Sequence, residues 1–211
     1  ADKGIFLNNT RRLNKKICNY ISSSFYDSRL TSDPITKTRS VNLKLDPIKD
    51  EGLFYVPIDH SGCSQRSDEE ADLIEKTYNK IINKEFKVDK NSGKISPKDI
   101  MVVAPYNAQA NNIRERLKKK FKDDVRVGTI DLFQGQEAKV VLISMTTSDV
   151  ESLPRHKDFF FSRNRLNVAI SRAQVASIIL FNPLLLDSSP KNLDHIKLMN
   201  NFFKFLNLKI N

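Results

Sequence analysis

KVVLISM at residues 139–145, together with MVVAPY at 101–106 and ASIILFNP at 176–183, decides how this chain folds. Each run is short, rich in β-branched residues and closed by a polar or proline-containing turn. Runs that stay apolar at successive positions suit strands covered on both faces, as in a parallel sheet. GLFYVPID at 52–59 reads as a weaker strand, and another begins near Val125. Helical spacing fills the intervals. Ala71, Ile74, Tyr78 and Ile81 recur at three- and four-residue steps behind Ser67 and Glu70, whose spacing is that of a capping box. Ile113, Leu117 and Phe121 recur every four residues, Leu13, Ile17, Ile21 and Phe25 carry a helix over about 12–25, and Leu166, Ala169, Ile170 and Ala173 form a further stripe. A last helix is expected from Ser189-Pro190 to about Leu206. Strands alternating with helices predict an α/β domain, a mostly parallel sheet with helices on both faces and right-handed crossovers. Ligands of such sheets gather at the carboxyl ends of the strands, which directs attention to the residues just after each apolar run. Residues 31–51 and 147–162 read as loop segments, with Phe159–Phe161 packing within the second.

At 211 residues the chain buries a core without disulfides or metals and fits one domain spanning 1–211. Charged residues at 28% and apolar types at 39% exclude a disordered chain. No stretch approaches the ~18–20 apolar residues of a membrane-spanning helix. The opening ADKGIFLNNTRR lacks the pattern of a signal peptide, so an intracellular setting, cytoplasmic or nucleoid, is expected, with no membrane partner. Cys18 and Cys63, like His60, His156 and His195, are scattered without the spacing of a redox or zinc site, and no metal ligand set is expected. Thirty-five Lys and Arg against 25 Asp and Glu leave a charge of +10, which attracts a phosphate backbone. A lysine-rich proteome yields the same balance, and Lys118-Lys119-Lys120 is equally a solvated helix face.

The chemistry concentrates in two segments. TIDLFQGQE, within VGTIDLFQGQEAKVVLISMTTSD at 127–149, places hydroxyl, carboxylate and amide groups around Gly135, where the backbone is free to approach a ligand. RNRLNVAISRAQ at 163–174 reads as a short helix with Arg165 and Arg172 seven residues apart. Nearly two turns separate them, so both lie along one edge, about 10 Å apart by helical rise.

TIDLFQGQE resembles motif V, and NRLNVAISRA resembles motif VI, of superfamily 1 helicases, in the branch of the RNA-surveillance and replication helicase-nucleases. NNTRRLNKKICNYISSSFYDSRL at 8–30 resembles that branch's motif IV, with Phe25-Tyr26 following, and VVAPYNAQ at 102–109 resembles its Pro-Tyr-x-x-Gln element. In details such as TRRLN the chain is similar to proteins in which the module follows a RecB-like nuclease domain. The resemblance implies a second RecA-like motor domain, with the P-loop NTPase fold, that works with ATP and Mg2+. It implies that Arg12 and Arg172 reach the γ-phosphate as arginine fingers. Arg11 is the alternative to Arg12. Glu137 would hold the ribose, Gly135 and Gln136 would line the same cleft, and Arg165 would join them or brace the preceding loop. Thr129 and Asp131 would couple nucleotide state to the nucleic-acid side. Pro105, Tyr106 and Gln109 would meet single-stranded DNA or RNA, Tyr106 stacking on a base or packing instead. Two departures stand out: Arg11 replaces an aromatic that stacks on adenine, and Gln174 stands where many relatives carry another Arg.

No GxxxxGK[ST] occurs, and no apolar strand ends in an acidic pair of the kind that holds magnesium. The resemblance assigns those parts to an N-terminal RecA-like domain of the same polypeptide, expected before residue 1, so the isolated chain is expected to be inactive. The alternative is a nucleic-acid-binding or partner-docking module with degenerate motor motifs. A nuclease has no support, because no acidic cluster of metal-ligand character is visible.

Overall fold

The computed structural model describes residues 6–46, 48–148 and 163–186. The helix expected from Ser189, the phenylalanines 159–161 and most of the second loop segment lie outside the described residues. In chain order the elements are β1 (Asn9–Thr10), α1 (Lys15–Phe25), β2 (Thr31–Ser32), β3 (Ser40–Val41), β4 (Gly52–Pro57), α2 (Asp68–Ile81), β5 (Glu85–Val88), β6 (Asn91–Lys94), β7 (Ile100–Val103), α3 (Asn107–Phe121), β8 (Arg126–Gly128), β9 (Ala138–Ser144), α4 (Arg163–Ile170) and β10 (Ala173–Phe181).

The apolar runs form the expected sheet, in the order β4-β10-β9-β7-β8 with every pairing parallel. Alternate residues of each strand face opposite sides. Met101, Val103, Val141 and Ile143 pack with Leu13, Ile17 and Ile21 of the α1 region and with Leu166, Ala169 and Ile170 of α4. Ile100, Val102, Val140 and Leu142 pack on the other side with Ala71, Ile74, Tyr78 and Ile81 of α2 and with Ile113 and Leu117 of α3. Full burial of each such Ile or Leu contributes about 1.5–3 kcal/mol. This two-sided burial accounts for strands without polar alternation, and the architecture is α/β, a parallel sheet with helices on both faces.

Four local readings need correction. First, α1 begins at Lys15 rather than near 12, because Asn14 caps it, accepting from Ile17 N at 2.9 Å, and also donates to the Val175 carbonyl of β10. Arg12 therefore stands outside the helix. Second, only half of the capping box forms. Ser67 Oγ accepts from Glu70 N at 3.1 Å, but Ser67 N donates to Gln109 Oε1 at 2.9 Å and the Glu70 carboxyl turns inward. Third, α4 stops at Ile170, since Ala173 already belongs to β10, so Arg172 sits in the turn between them and does not share a helix edge with Arg165. Fourth, residues 31–51 are not all loop. They contribute β2, which pairs with β1, and β3, which joins β5 and β6 in a separate antiparallel sheet.

Candidate functional site

Residues far apart in sequence meet at the amino ends of β9 and β10. Ala138 N donates to the Arg172 carbonyl at 3.0 Å, which sets the turn after α4 against the loop before β9. That loop runs from a 3-10 turn (Ile130–Phe133) through Gly135, whose φ of 77° lies in the left-handed region that favours glycine, to Gln136 and Glu137. Arg12 arrives from the bend before α1, and its Nε donates to Glu137 Oε2 at 2.9 Å. Gln174 Nε2 donates to the other oxygen of Glu137 at 2.6 Å. Gln136 is held by Arg126, whose Nη2 donates to its Oε1 at 3.0 Å. The glutamine noted as a departure from the motif thus has a partner in the same cluster.

Arg172 is the unusual member. It is only 9% exposed, its Nη1 donates to the Gln136 carbonyl at 3.3 Å, and its buried Nε has no hydrogen-bond partner among the described residues. Desolvation, and then the neighbouring Arg12 charge, hold its pKa below the usual arginine value. A buried guanidinium with an unmet donor is costly unless an anion meets it. Arg12, by contrast, keeps 36% of its side chain exposed and rests on a half-exposed carboxylate, so it is free to exchange partners. The donor set of this edge, two arginines with amide groups beside them, fits the phosphate chain of a nucleotide. Arg165 is half-buried in α4. Among the described residues no group of three or more His, Cys, Asp and Glu stands together as cation ligands.

The carboxyl-end rule therefore does not locate the arginines, which gather at the opposite edge. It does locate the second group of expected residues. Ala104 N donates to the Gly128 carbonyl at 3.0 Å, bringing Pro105 and Tyr106, after β7, beside Thr129 and Asp131, after β8. Pro105 and Thr129 are half-buried and Asp131 is exposed. Tyr106 is half-buried against the core and precedes α3, and burial pushes its phenol above the ordinary value against a hydrogen bond with Thr147. Gln109 does not belong to this surface. It is fully buried, and its amide donates to the Ser67 carbonyl at 3.0 Å and to Ser144 Oγ at 3.2 Å while its oxygen takes Ser67 N. With both ends of its amide engaged inside the domain, it pins α2 to α3 and leaves no group for a strand.

Sequence reasoning missed the polar network beneath that edge. Glu70, fully buried, accepts from Ser144 Oγ at 2.5 Å and from Thr146 N at 2.9 Å, and lies 3.1 Å from His60 Nε2. His60 Nδ1 is 2.9 Å from Ser148 Oγ, which also accepts from Cys63 N at 2.8 Å. Hydroxyl, imidazole and carboxyl stand in the order of a nucleophilic triad, but Ser148 and Glu70 have no exposed surface, so no substrate reaches them. The network secures Thr146, a β-branched residue at φ 70°. The half-formed capping box at Glu70 was its one legible trace.

A family model described as AAA domain (AAA_12) matches residues 1–183. The chain belongs to the AAA domain family. This AAA domain is 28% identical over 189 residues to DNA polymerase alpha-associated DNA helicase A of Saccharomyces cerevisiae, covering 84% of this chain and 27% of that protein. It is 34% identical over 179 residues to the protein of the same name in Schizosaccharomyces pombe, covering 79% of this chain and 26% of that protein. An uncharacterised ATP-dependent helicase of Methanocaldococcus jannaschii is 29% identical over 196 residues, with 83% of this chain and 26% of that protein covered. Among solved structures, the C-terminal domain of a possible DNA helicase from Lactobacillus plantarum aligns with a TM-score of 0.43 and 12% identity, over 83% of this chain and 92% of that one. With the motif resemblance, the relatives identify the AAA domain as a superfamily 1 helicase domain. It spans about a quarter of the length of those three helicases. Among the described residues no helix is long and apolar enough to cross a membrane.

Proposed function

We propose that the chain is the second motor domain of an ATP-dependent superfamily 1 helicase or translocase, acting across a cleft from an N-terminal RecA-like domain of the same polypeptide. The observation that carries this reading is the buried Arg172 guanidinium, with Nε unmet and Arg12 beside it. Both side chains meet the γ-phosphate, and their fixed charge stabilises the phosphoryl group during transfer and registers its loss. ATP with Mg2+ supplies that phosphoryl group and the cation that neutralises it, with the metal held mainly by the N-terminal domain. Glu137, released by Arg12 as that arginine turns to phosphate, accepts from the ribose hydroxyls. Gly135, Gln136 and Arg165 line the same cleft. On the carboxyl-end edge Pro105, Tyr106, Thr129 and Asp131 meet single-stranded DNA or RNA, with Gln109 fixing the helices beneath them. Cleft closure and reopening then step the two domains along one strand.

The test compares ATP hydrolysis by a protein carrying both motor domains with hydrolysis by residues 1–211 alone, each with and without single-stranded nucleic acid. Hydrolysis confined to the two-domain protein and stimulated by the strand is the expected result. Salt-dependent strand binding without hydrolysis in the two-domain protein would make the chain a docking module instead.

A further inference from the structure

Among the described residues two arginines are buried, and only one of them is at the nucleotide edge. The other, Arg39, is 5% exposed and lies just before β3. Its Nε and Nη2 donate to the two oxygens of Asp89 at 2.7 and 2.8 Å, a bidentate pair. Its remaining arm, Nη1, donates to the main-chain carbonyl of Arg12 at 2.5 Å. Asp89 occupies the turn of the β5-β6 hairpin at φ 54°. β3 pairs with β5 through Ser40 and Lys87, so strand pairing holds the arginine and its carboxylate in register.

Arg12 needs such a support. It lies in no helix or strand, and Cys18 N to Asn14 O begins the ladder of α1, so the Arg12 carbonyl is outside it. Its own N–H donates to Thr10 Oγ1 at 3.3 Å. Its side chain is half-exposed on Glu137. The main chain of Arg12 is therefore anchored from below while its guanidinium remains movable.

We propose that Arg39 is a positioning residue for Arg12: braced by Asp89, it fixes the main-chain pivot from which the Arg12 side chain turns from Glu137 to phosphate. The inference rests on the nucleotide reading of Arg12. It adds that the hairpin of β5 and β6, itself part of no motif-like segment, sets the geometry of phosphoryl transfer. A misplacement of about 1 Å at such a group costs up to about 100-fold in rate.

The test uses the full-length protein with both motor domains and saturating single-stranded nucleic acid. Asp89→Asn keeps a residue that tolerates the left-handed turn but deprives Arg39 of its carboxylate. Arg39→Lys is the second variant, retaining charge without the planar fork. Each is expected to lower kcat for ATP at least about tenfold, with KM changed less than about twofold, in protein that has a lowered melting midpoint but is still folded at the assay temperature. In an Arg12→Ala background, where the pivot has nothing to carry, adding Asp89→Asn is expected to change kcat by less than about twofold. Wild-type kcat in both variants, or an equal loss from Asp89→Asn with and without Arg12, would overturn the proposal and leave Arg39 a scaffold for the small sheet. Unchanged kcat in Arg12→Ala alone would instead remove the reading of Arg12 on which the proposal stands.

Discussion

Replacing Arg172 by alanine in a protein that carries both motor domains is expected to lower kcat for strand-stimulated ATP hydrolysis by about 10³–10⁵-fold, the range for an arginine finger. kcat/KM should fall by the same factor, because an interaction made chiefly in the transition state changes both equally. Stability should not fall with it. The guanidinium makes one hydrogen bond of 3.3 Å to a carbonyl and leaves Nε unmet, so its removal relieves a desolvated donor as well as losing a contact. Arg172→Lys should not rescue turnover, since a point charge does not reproduce the planar fork. Steady-state kinetics with ATP varied at saturating strand decide the matter. A loss smaller than about tenfold would remove Arg172 from the transition state.

The second large effect is on folding. Glu70→Ala is expected to destabilise the domain by roughly 3–5 kcal/mol, because the donors at Ser144 Oγ, Thr146 N and His60 Nε2 each lose a buried acceptor at roughly 1–3 kcal/mol apiece, with partial relaxation. Thr146 at φ 70° holds its place only while the surroundings over-determine it, and the Glu70 carboxyl is one of its restraints. Glu70→Gln, which keeps the volume and one acceptor, should cost less than half as much. Urea denaturation of the purified chain, read as a shift in midpoint at constant slope, measures both. A cost below about 1 kcal/mol for Glu70→Ala would mean that the network contributes little and that the Met145–Ser148 loop is held by other contacts.

These two residues also mark what was and was not legible in the sequence. Arg172 stood in a segment whose resemblance to motif VI implies a phosphate contact, and its partners Gln136, Glu137 and Arg12 were each visible in their own segments. Their meeting was not visible, because it depends on two strand-entry loops placed side by side by the parallel order of β9 and β10. The helical period through Leu166, Ala169, Ile170 and Ala173 ran past the helix end, since a buried alanine satisfies a helix face and a strand alike. Gln109 carried the chemistry of a strand contact and was spent on Ser67 and Ser144, a pairing across 42 and 35 residues that no local pattern reports. Phe86 and Val88 alternate with charged residues in β5, but two apolar positions are too few to separate a hairpin from a loop. The Arg39 to Asp89 pair, 50 residues apart, follows only from that hairpin. The central sheet was readable because both its faces are apolar. The polar joints were not, because hydrogen-bond partners are chosen by topology rather than by spacing.

On the proposed function, one domain would serve two ligands at opposite edges of its sheet. The proposed nucleotide contacts lie at the amino ends of β9 and β10, and the proposed strand contacts lie beyond the carboxyl ends of β7 and β8. The loop from Thr129 to Glu137 runs from the second edge to the first, passing through Ile130 and Phe133 in the core. On that proposal, a shift of Glu137 on phosphate binding would be carried along a packed segment to Thr129 and Asp131.

The most direct test is a structure of the two-domain protein bound to single-stranded nucleic acid and ADP with aluminium fluoride, a mimic of the phosphoryl group in transfer. Arg172 and Arg12 should both lie within about 3 Å of the fluoride ligands, with Arg12 detached from Glu137. Arg172 turned to bulk solvent, or still bonded to the Gln136 carbonyl while the nucleotide binds elsewhere, would contradict the account.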